Sequence, residues 1–434
     1  MAYISTKDDT KQLSLTIYND GFGVVKETRI MNLDDQEQEV YYLDVAEKTE
    51  IDSILINGLQ VQEMNYEYDL VSKKKLLEKY IDQTIYIFDK ETKTKTEYRL
   101  LSVTDGIVVE NTTTKEIIIN PYGEMVLPQL PTGLIVKPGL VWKVKQAYQE
   151  NIHISYITRG FSWEANYVIH LKEEKFDLSG WVHIWNETGA TYENAELKLI
   201  AGEIHRSMEH SDMEEVLLYS ALDEDSNSNF KEQSFHDFHL YTCKEKTTLK
   251  NNQSKQVQFL HYTHIPYKKY YENAAYYSYE SSKEIPVSVH IEWNNNKESQ
   301  LGVPLPKGKI KVYSKDEADQ NLEFIGEDQI NHTSHGEKVK LLLGKAFDVK
   351  MQSRVIDKYT KWGYQYYTQE YKIQNKTHEK ILFKLKHDLY FLREEWLTST
   401  HPFEMIDQNS YVCWLEIEPE TEETIQVKYR EKAK

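Results

Sequence analysis

The side chains best suited to chemistry in this chain are its 15 histidines, three pairs of which stand three residues apart: His236/His239, His261/His264 and His332/His335. In an extended strand, residues three apart point to opposite faces, so such a pair reaches one metal ion only from a turn or a helix. His332/His335, in INHTSHGE, has turn-like surroundings but lacks a third ligand at the spacing zinc sites use. These histidines read as solvated or hydrogen-bonded side chains, and no metal site is expected. Gly160-Phe161-Ser162-Trp163-Glu164 has the outline of a nucleophile elbow, yet Glu164 stands where the sharp strand-turn-helix needs glycine. Adjacent acids such as Glu214/Glu215 and Glu394/Glu395 read as solvated charge, because acid–base work needs carboxylates brought together from a distance. The motifs point to no catalytic residue and no cofactor.

One local pattern suggests binding. Of the 32 tyrosines, Tyr267, Tyr270, Tyr271, Tyr276, Tyr277 and Tyr279 crowd into HIPYKKYYENAAYYSYE. Tyrosine offers a large rigid contact area with a hydrogen-bonding tip, which suits a recognition surface. The plainer alternative is an edge hairpin whose rings cover neighbouring sheet, since aromatic residues favour strands in any case.

The elements that would carry these residues are strands. Trp163, Ala165, Tyr167, Ile169 and Leu171 alternate with Glu164, Asn166 and His170, the period of a half-buried strand. Trp181 to Trp185 is apolar at neighbouring positions, as in a strand covered on both faces. Ala195, Leu197, Leu199 and Ala201 restore the alternation. Val287, Val289, Ile291 and Trp293 share a second face, and Ile381/Phe383/Leu385, Cys413/Leu415/Ile417 and Ile425/Val427/Tyr429 mark three more strands. Asn19-Asp20-Gly21 between apolar runs is a strong hairpin signal. Ser72 can cap a short helix bearing Leu76, Leu77 and Tyr80, and Ser211 to Glu214 has the spacing of a capping box for another.

These signals predict an all-β, multidomain chain: a sheet domain over 1–70, a small inserted β-barrel with a leading helix over 71–130, a central sandwich over 131–353 with an acidic insertion at about 205–235, and an immunoglobulin-like sandwich over 354–434. WNETGATYENAELKL and QNKTHEKILFKL suggest analogous positions in two similar sandwiches. Cys243 and Cys413 sit in strand-like contexts and read as buried free thiols. The net charge of −18 repels phosphate backbones and anionic headgroups, so neither nucleic acid nor a membrane surface is an expected partner. No apolar run reaches the length of a membrane span, and MAYISTKDDTKQLSL has no apolar core of a signal peptide. A cytoplasmic location is the expectation.

Several stretches, among them LTIYNDGFGVVKETR, SYITRGFSWEANYVIHL, GWVHIWNETGATYENAELKLIAGEI, KTTLKNNQSKQV, VPLPKGKIKVY, EFIGEDQINHTSHGEKVKLLLGKAFDV and YKIQNKTHEKILFK, run almost end to end. On them the chain resembles the bacterial domain-of-unknown-function family 4139, also seen in mucoidy-inhibitor-like proteins. The resemblance implies an all-β, multi-sandwich architecture and no catalytic residues that carry over. Together the readings favour a non-catalytic module that binds a protein partner or assembles with copies of itself. The alternatives are a hydrolase or carbohydrate-active enzyme whose site forms at a domain junction, and a self-assembling structural protein.

Overall fold

Alternation along the strands becomes burial in the folded chain. Trp163, Ala165, Tyr167, Ile169 and Leu171 are all buried, as are Ala195, Leu197, Leu199 and Ala201. The computed structural model describes residues 3–33, 38–67, 73–104, 106–129, 139–202, 230–235, 238–274, 283–316, 318–389 and 394–432. Nearly every element is a strand, and the one α-helix among the described residues is Lys73–Lys79. No helix among them is long and apolar enough to cross a membrane.

The strands form six sheets. The hairpin Thr10–Tyr18/Phe22–Ile30, turned at Gly21 with φ +83°, lies at the centre of the largest. Glycine adopts that left-handed conformation without steric penalty. One arm pairs in parallel with Tyr192–Ala201 and the other antiparallel with Asn151–Arg159. Gln38–Leu43 and Leu59–Glu67 flank Gly139–Ala147 in a four-stranded sheet. A five-stranded sheet runs Gln253–Pro266, Lys175–Asn186, Phe161–Leu171, Gly308–Lys315 and Leu322–Ile330. These three sheets contribute to one apolar core reaching from Leu15 to Leu341.

The second core, from Tyr271 to Tyr429, is built largely by two further sheets. One is six-stranded: Lys338–Lys345, Val287–Asn294, Lys268–Asn273, Ile381–Asp388, Ser410–Ile417 and Glu404–Met405. The other orders Lys283–Ile285, Val349–Lys361, Tyr364–Asn375, Glu422–Lys432 and Glu394–Ser399. The six-stranded sheet serves both cores, because Val287 packs into the second while Ile291 and Trp293, on the same strand, pack into the first.

The expected domain borders at 70 and 353 do not separate folding units. Residues 10–67 pair with strands between 139 and 201, and position 353 lies inside Val349–Lys361. The unit between Lys73 and Val126 has its own core, in which helix and sheet enclose Leu77, Tyr80, Ile85, Ile87, Leu100 and Val109. Its five strands keep a linear order, so the sheet is open where a barrel was expected. Trp181 corrects another expectation. It is 37% exposed on the outward face with His183 and Trp185, so this strand is covered on one side only. The helix expected after Ser211 and most of the 205–235 insertion lie outside the described residues; Phe230–Phe235 is a strand paired with Phe238–Cys243.

The echo between WNET and QNKT is structural. Asn186 and Asn375 each end a long strand and are each 1% exposed. In the first copy the Asn186 amide donates to the carbonyls of Ala190 and Leu249, and its oxygen accepts from the backbone N–H and hydroxyl of Thr188. In the second, Asn375 donates to Glu379 and Ile417 and accepts from the same two groups of Thr377. One turn design closes a strand in both cores.

Candidate functional site

Of the six tyrosines singled out by sequence, the three described ones, Tyr267, Tyr270 and Tyr271, do not share one surface. Tyr270 and Tyr271, neighbours on one strand, point to opposite sides, and both are buried. Tyr271 joins the second core. Tyr270 stacks on His290 at 5.4 Å and meets the edge of Trp414 at 5.2 Å. Beside it the Glu272 carboxylate binds Lys340 at 2.5 Å and Lys384 at 3.0 Å. Burial pushes that carboxyl up, but the two lysines outweigh it and hold it below the ordinary range. Tyr267 lies against the first core and donates its hydroxyl to the Lys172 carbonyl. Tyr276, Tyr277 and Tyr279 lie outside the described residues.

The histidines are engaged singly. His239 pairs with Glu232, His261 with Ser179, and the His332 ring accepts the Lys307 backbone N–H. Among the described residues no three His, Cys, Asp or Glu side chains are grouped to hold a metal. Ser162 lies within the strand Phe161–Leu171, paired opposite Trp185. Cys413 is buried and its thiol is pushed up to about 11 by burial, whereas Cys243 is only half-buried.

A cleft of about 560 Å³ opens between the 3₁₀ turn Lys7–Asp9 and the segment Gly189–Asn194, where a turn leads into the strand Tyr192–Ala201. Its floor holds a buried ion pair, Glu27 with Arg29 at 2.8 Å. The Glu27 carboxylate also accepts the hydroxyls of Tyr42 at 2.7 Å and Tyr156 at 3.3 Å. Arg29 Nη1 donates to the carbonyls of Leu43 and Ser5, and its guanidinium lies 3.7 Å over the Tyr42 ring. Burial first, then the Glu27 charge, hold both tyrosines well above their ordinary range, so they stay protonated. A carboxylate committed to four donors has little capacity left to take a substrate proton. The cluster fastens the strands Phe22–Ile30, Gln38–Leu43 and Asn151–Arg159 to one another.

A different surface has unspent capacity. The strands Val349–Lys361 and Tyr364–Asn375 form a long hairpin whose outer half carries little core, every residue from Lys358 to Lys361 being exposed. Its turn is Trp362–Gly363 with φ +51° and +78°. Two consecutive positive φ values match the twist of a tight hairpin, and asparagine or glycine normally supplies them. Here the first position holds a tryptophan that is 82% exposed. Cross-strand pairing of Lys361 with Tyr364, Tyr359 with Tyr366, Tyr364 with Lys432, and Tyr366 with Arg430 places all these side chains on one face. Lys428, two residues before Arg430, continues it.

Tyr359 and Tyr366 stack at 4.9 Å with planes 3° apart. The Arg430 guanidinium lies 4.3 Å over Tyr364 and pairs with Glu395, while Lys361 sits 4.1 Å over the Trp362 ring. The opposite face of the hairpin turns inward, with Tyr367 stacked on Tyr429 in the second core. This basic, aromatic hairpin end escaped the sequence reading. The signal that would have found it is DKYTKWGYQYY, a residue-glycine hairpin dipeptide flanked by alternating tyrosine and lysine.

No protein-family model matches the chain, and no curated protein matches it.

Proposed function

We propose that this chain is a non-catalytic protein-binding module whose docking element is the end of the hairpin Val349–Lys361/Tyr364–Asn375. The single observation that carries the reading is Trp362, a bulky side chain held 82% exposed on a backbone with φ +51°. A left-handed conformation costs a residue with a Cβ roughly 1–2 kcal/mol, and asparagine would relieve much of it. Packing within the chain gives nothing comparable in return, since the ring's neighbour is the Lys361 ammonium. Tryptophan, tyrosine and arginine are also the residues that most often anchor protein interfaces. Membership of family 4139 belongs to the same proposal and rests on the quoted stretches.

Native mass spectrometry of the protein purified from its source tests the reading. The wild-type chain should carry a protein partner, and Trp362→Ser should lose it while melting within about 2 °C of wild type, the size of the one exposed contact removed. A partner retained in full by the variant, or a wild-type chain that is bare at every concentration, would sink it.

A further inference from the structure

We propose that the partner presents a short, extended acidic peptide segment to the face formed by Tyr359, Tyr364, Tyr366, Lys361, Lys428, Arg430 and Lys432. The inference rests on the binding function above and adds the chemistry of what is bound. Local charge favours it. Four cations lie on this face against two carboxylates, Asp357 and Glu395, in a chain whose net charge is −18. Lys361, Lys428 and Lys432 make no ion pair among the described residues, so their charge is available to a ligand.

Shape favours it as well. The stacked Tyr359/Tyr366 pair and Tyr364 span two adjacent strands and make a flat platform, with Arg430 and Lys432 on the next strand along its side. An extended peptide lying on it would set apolar parts on the rings and carboxylates against the cations. Arg430 already holds a carboxylate, that of Glu395 at 2.5 Å, while its guanidinium lies over Tyr364. A glutamate or aspartate of the ligand repeats that contact at Lys361, Lys428 or Lys432.

Screening separates the peptide from other anions. It confines exposed charges to about 8 Å at physiological salt, so a short peptide feels the basic face and little of the acidic body. A nucleic acid strand or an anionic bilayer extends far beyond the patch and meets the repulsion of the whole chain.

Fluorescence anisotropy of the full-length protein with a labelled decapeptide of alternating glutamate and threonine tests this. The acidic peptide should bind at least about tenfold more tightly than its glutamine counterpart, a gap of the size expected when a few exposed charges are lost. Added salt should weaken it, and Lys361→Glu/Lys432→Glu, two exposed substitutions outside the core, should abolish it while moving the melting temperature by no more than about 2 °C, the size of the lost Lys361–Trp362 contact. Equal affinity for the glutamine peptide, unchanged binding by the double variant, or tighter binding of a thymidine oligomer or phosphatidylserine vesicles would each overturn it. If the acidic peptide fails while Trp362→Ser still loses the native partner, the peptide chemistry is wrong and the binding function stands. If Trp362→Ser keeps that partner, both fall.

Discussion

Asn375 shows how much a single buried amide can hold. Its side chain, itself 1% exposed, donates to the carbonyls of Glu379, Ile417 and Glu418 and accepts from the two donors of Thr377, in a turn whose Lys376, His378 and Glu379 are exposed while Ile417 is buried. Alanine would leave these groups without the partner, and orphaned buried polar groups cost about 1–3 kcal/mol each where water does not enter. Asn375→Ala, which orphans the buried Ile417 carbonyl, should therefore lower the stability of the second core by about 1–3 kcal/mol in urea denaturation, and Asn186→Ala should do the same to the first. A loss below half a kilocalorie at both positions would show that the turns close without them. His387 makes a second prediction at this scale. It is fully enclosed, with Nδ1 on the Tyr371 hydroxyl and rings of Trp396 and Tyr429 against it. Its Nε2 has no partner among the described residues. Burial pulls its pKa down to about 4, against a slight upward pull from Asp388. Between pH 4 and the ordinary value of about 6.5, the unfolded chain binds a proton that the folded chain does not. Stability contributed by the neutral ring is complete above about 6.5 and falls by about 3 kcal/mol as the pH drops to 4. His387→Phe should flatten that part of the pH profile in chemical denaturation, and an unchanged slope would assign it to other groups. Such roles were partly legible in the sequence: the paired N-x-T stretches stood out, but the burial of His387 depends on strands far away in the chain.

Strand alternation was the most readable property of the chain, because it records which side of a sheet meets a core. It said less about which faces remain bare. Tyr270 and Tyr271 looked like a surface from their crowding, yet the strand sends one into a core and the other beneath Trp414 and the neighbouring lysines. The hairpin at Trp362 was overlooked because its residue types suit an ordinary strand, and its exposure follows from its length beyond the sandwich. That geometry makes a test at the level of the element. Trp362→Asn places a residue tolerant of positive φ in the same turn. It removes the exposed Lys361 contact, worth about 0.5–1 kcal/mol, and relieves about 1–2 kcal/mol of backbone cost. The variant should be more stable by roughly 0.5 kcal/mol and melt about 1–2 °C higher, while losing the partner. A variant that melts lower would mean that the tryptophan supports the hairpin and that its exposure needs no partner to account for it.

At the scale of the whole molecule, the division of the chain was the least legible property. A strand's alternation does not name its neighbour, and here decisive neighbours are remote: Thr10–Tyr18 lies parallel to Tyr192–Ala201, and Phe161–Leu171 parallel to Gly308–Lys315. Such pairings merge the first 67 residues with the strands beyond 139 into one core, and they carry strands from before 354 into the second. The inserted unit is the exception, because its contacts are local and the chain leaves and returns at one place. Glu67 is paired directly with Gly139 across adjacent antiparallel strands. Replacing residues 68–138 with Asn-Gly would join those strands by a tight hairpin turn suited to their antiparallel pairing. Among the described residues, the core of the unit shares none of its buried residues with the first core. The shortened chain should keep one cooperative transition for the first core, with its midpoint moved by no more than about 5 °C, and keep binding at the Trp362 hairpin. Calorimetry of the two chains decides the matter. A collapse of the main transition would show that the inserted sheet braces the strands it leaves, and that these two cores fold as one.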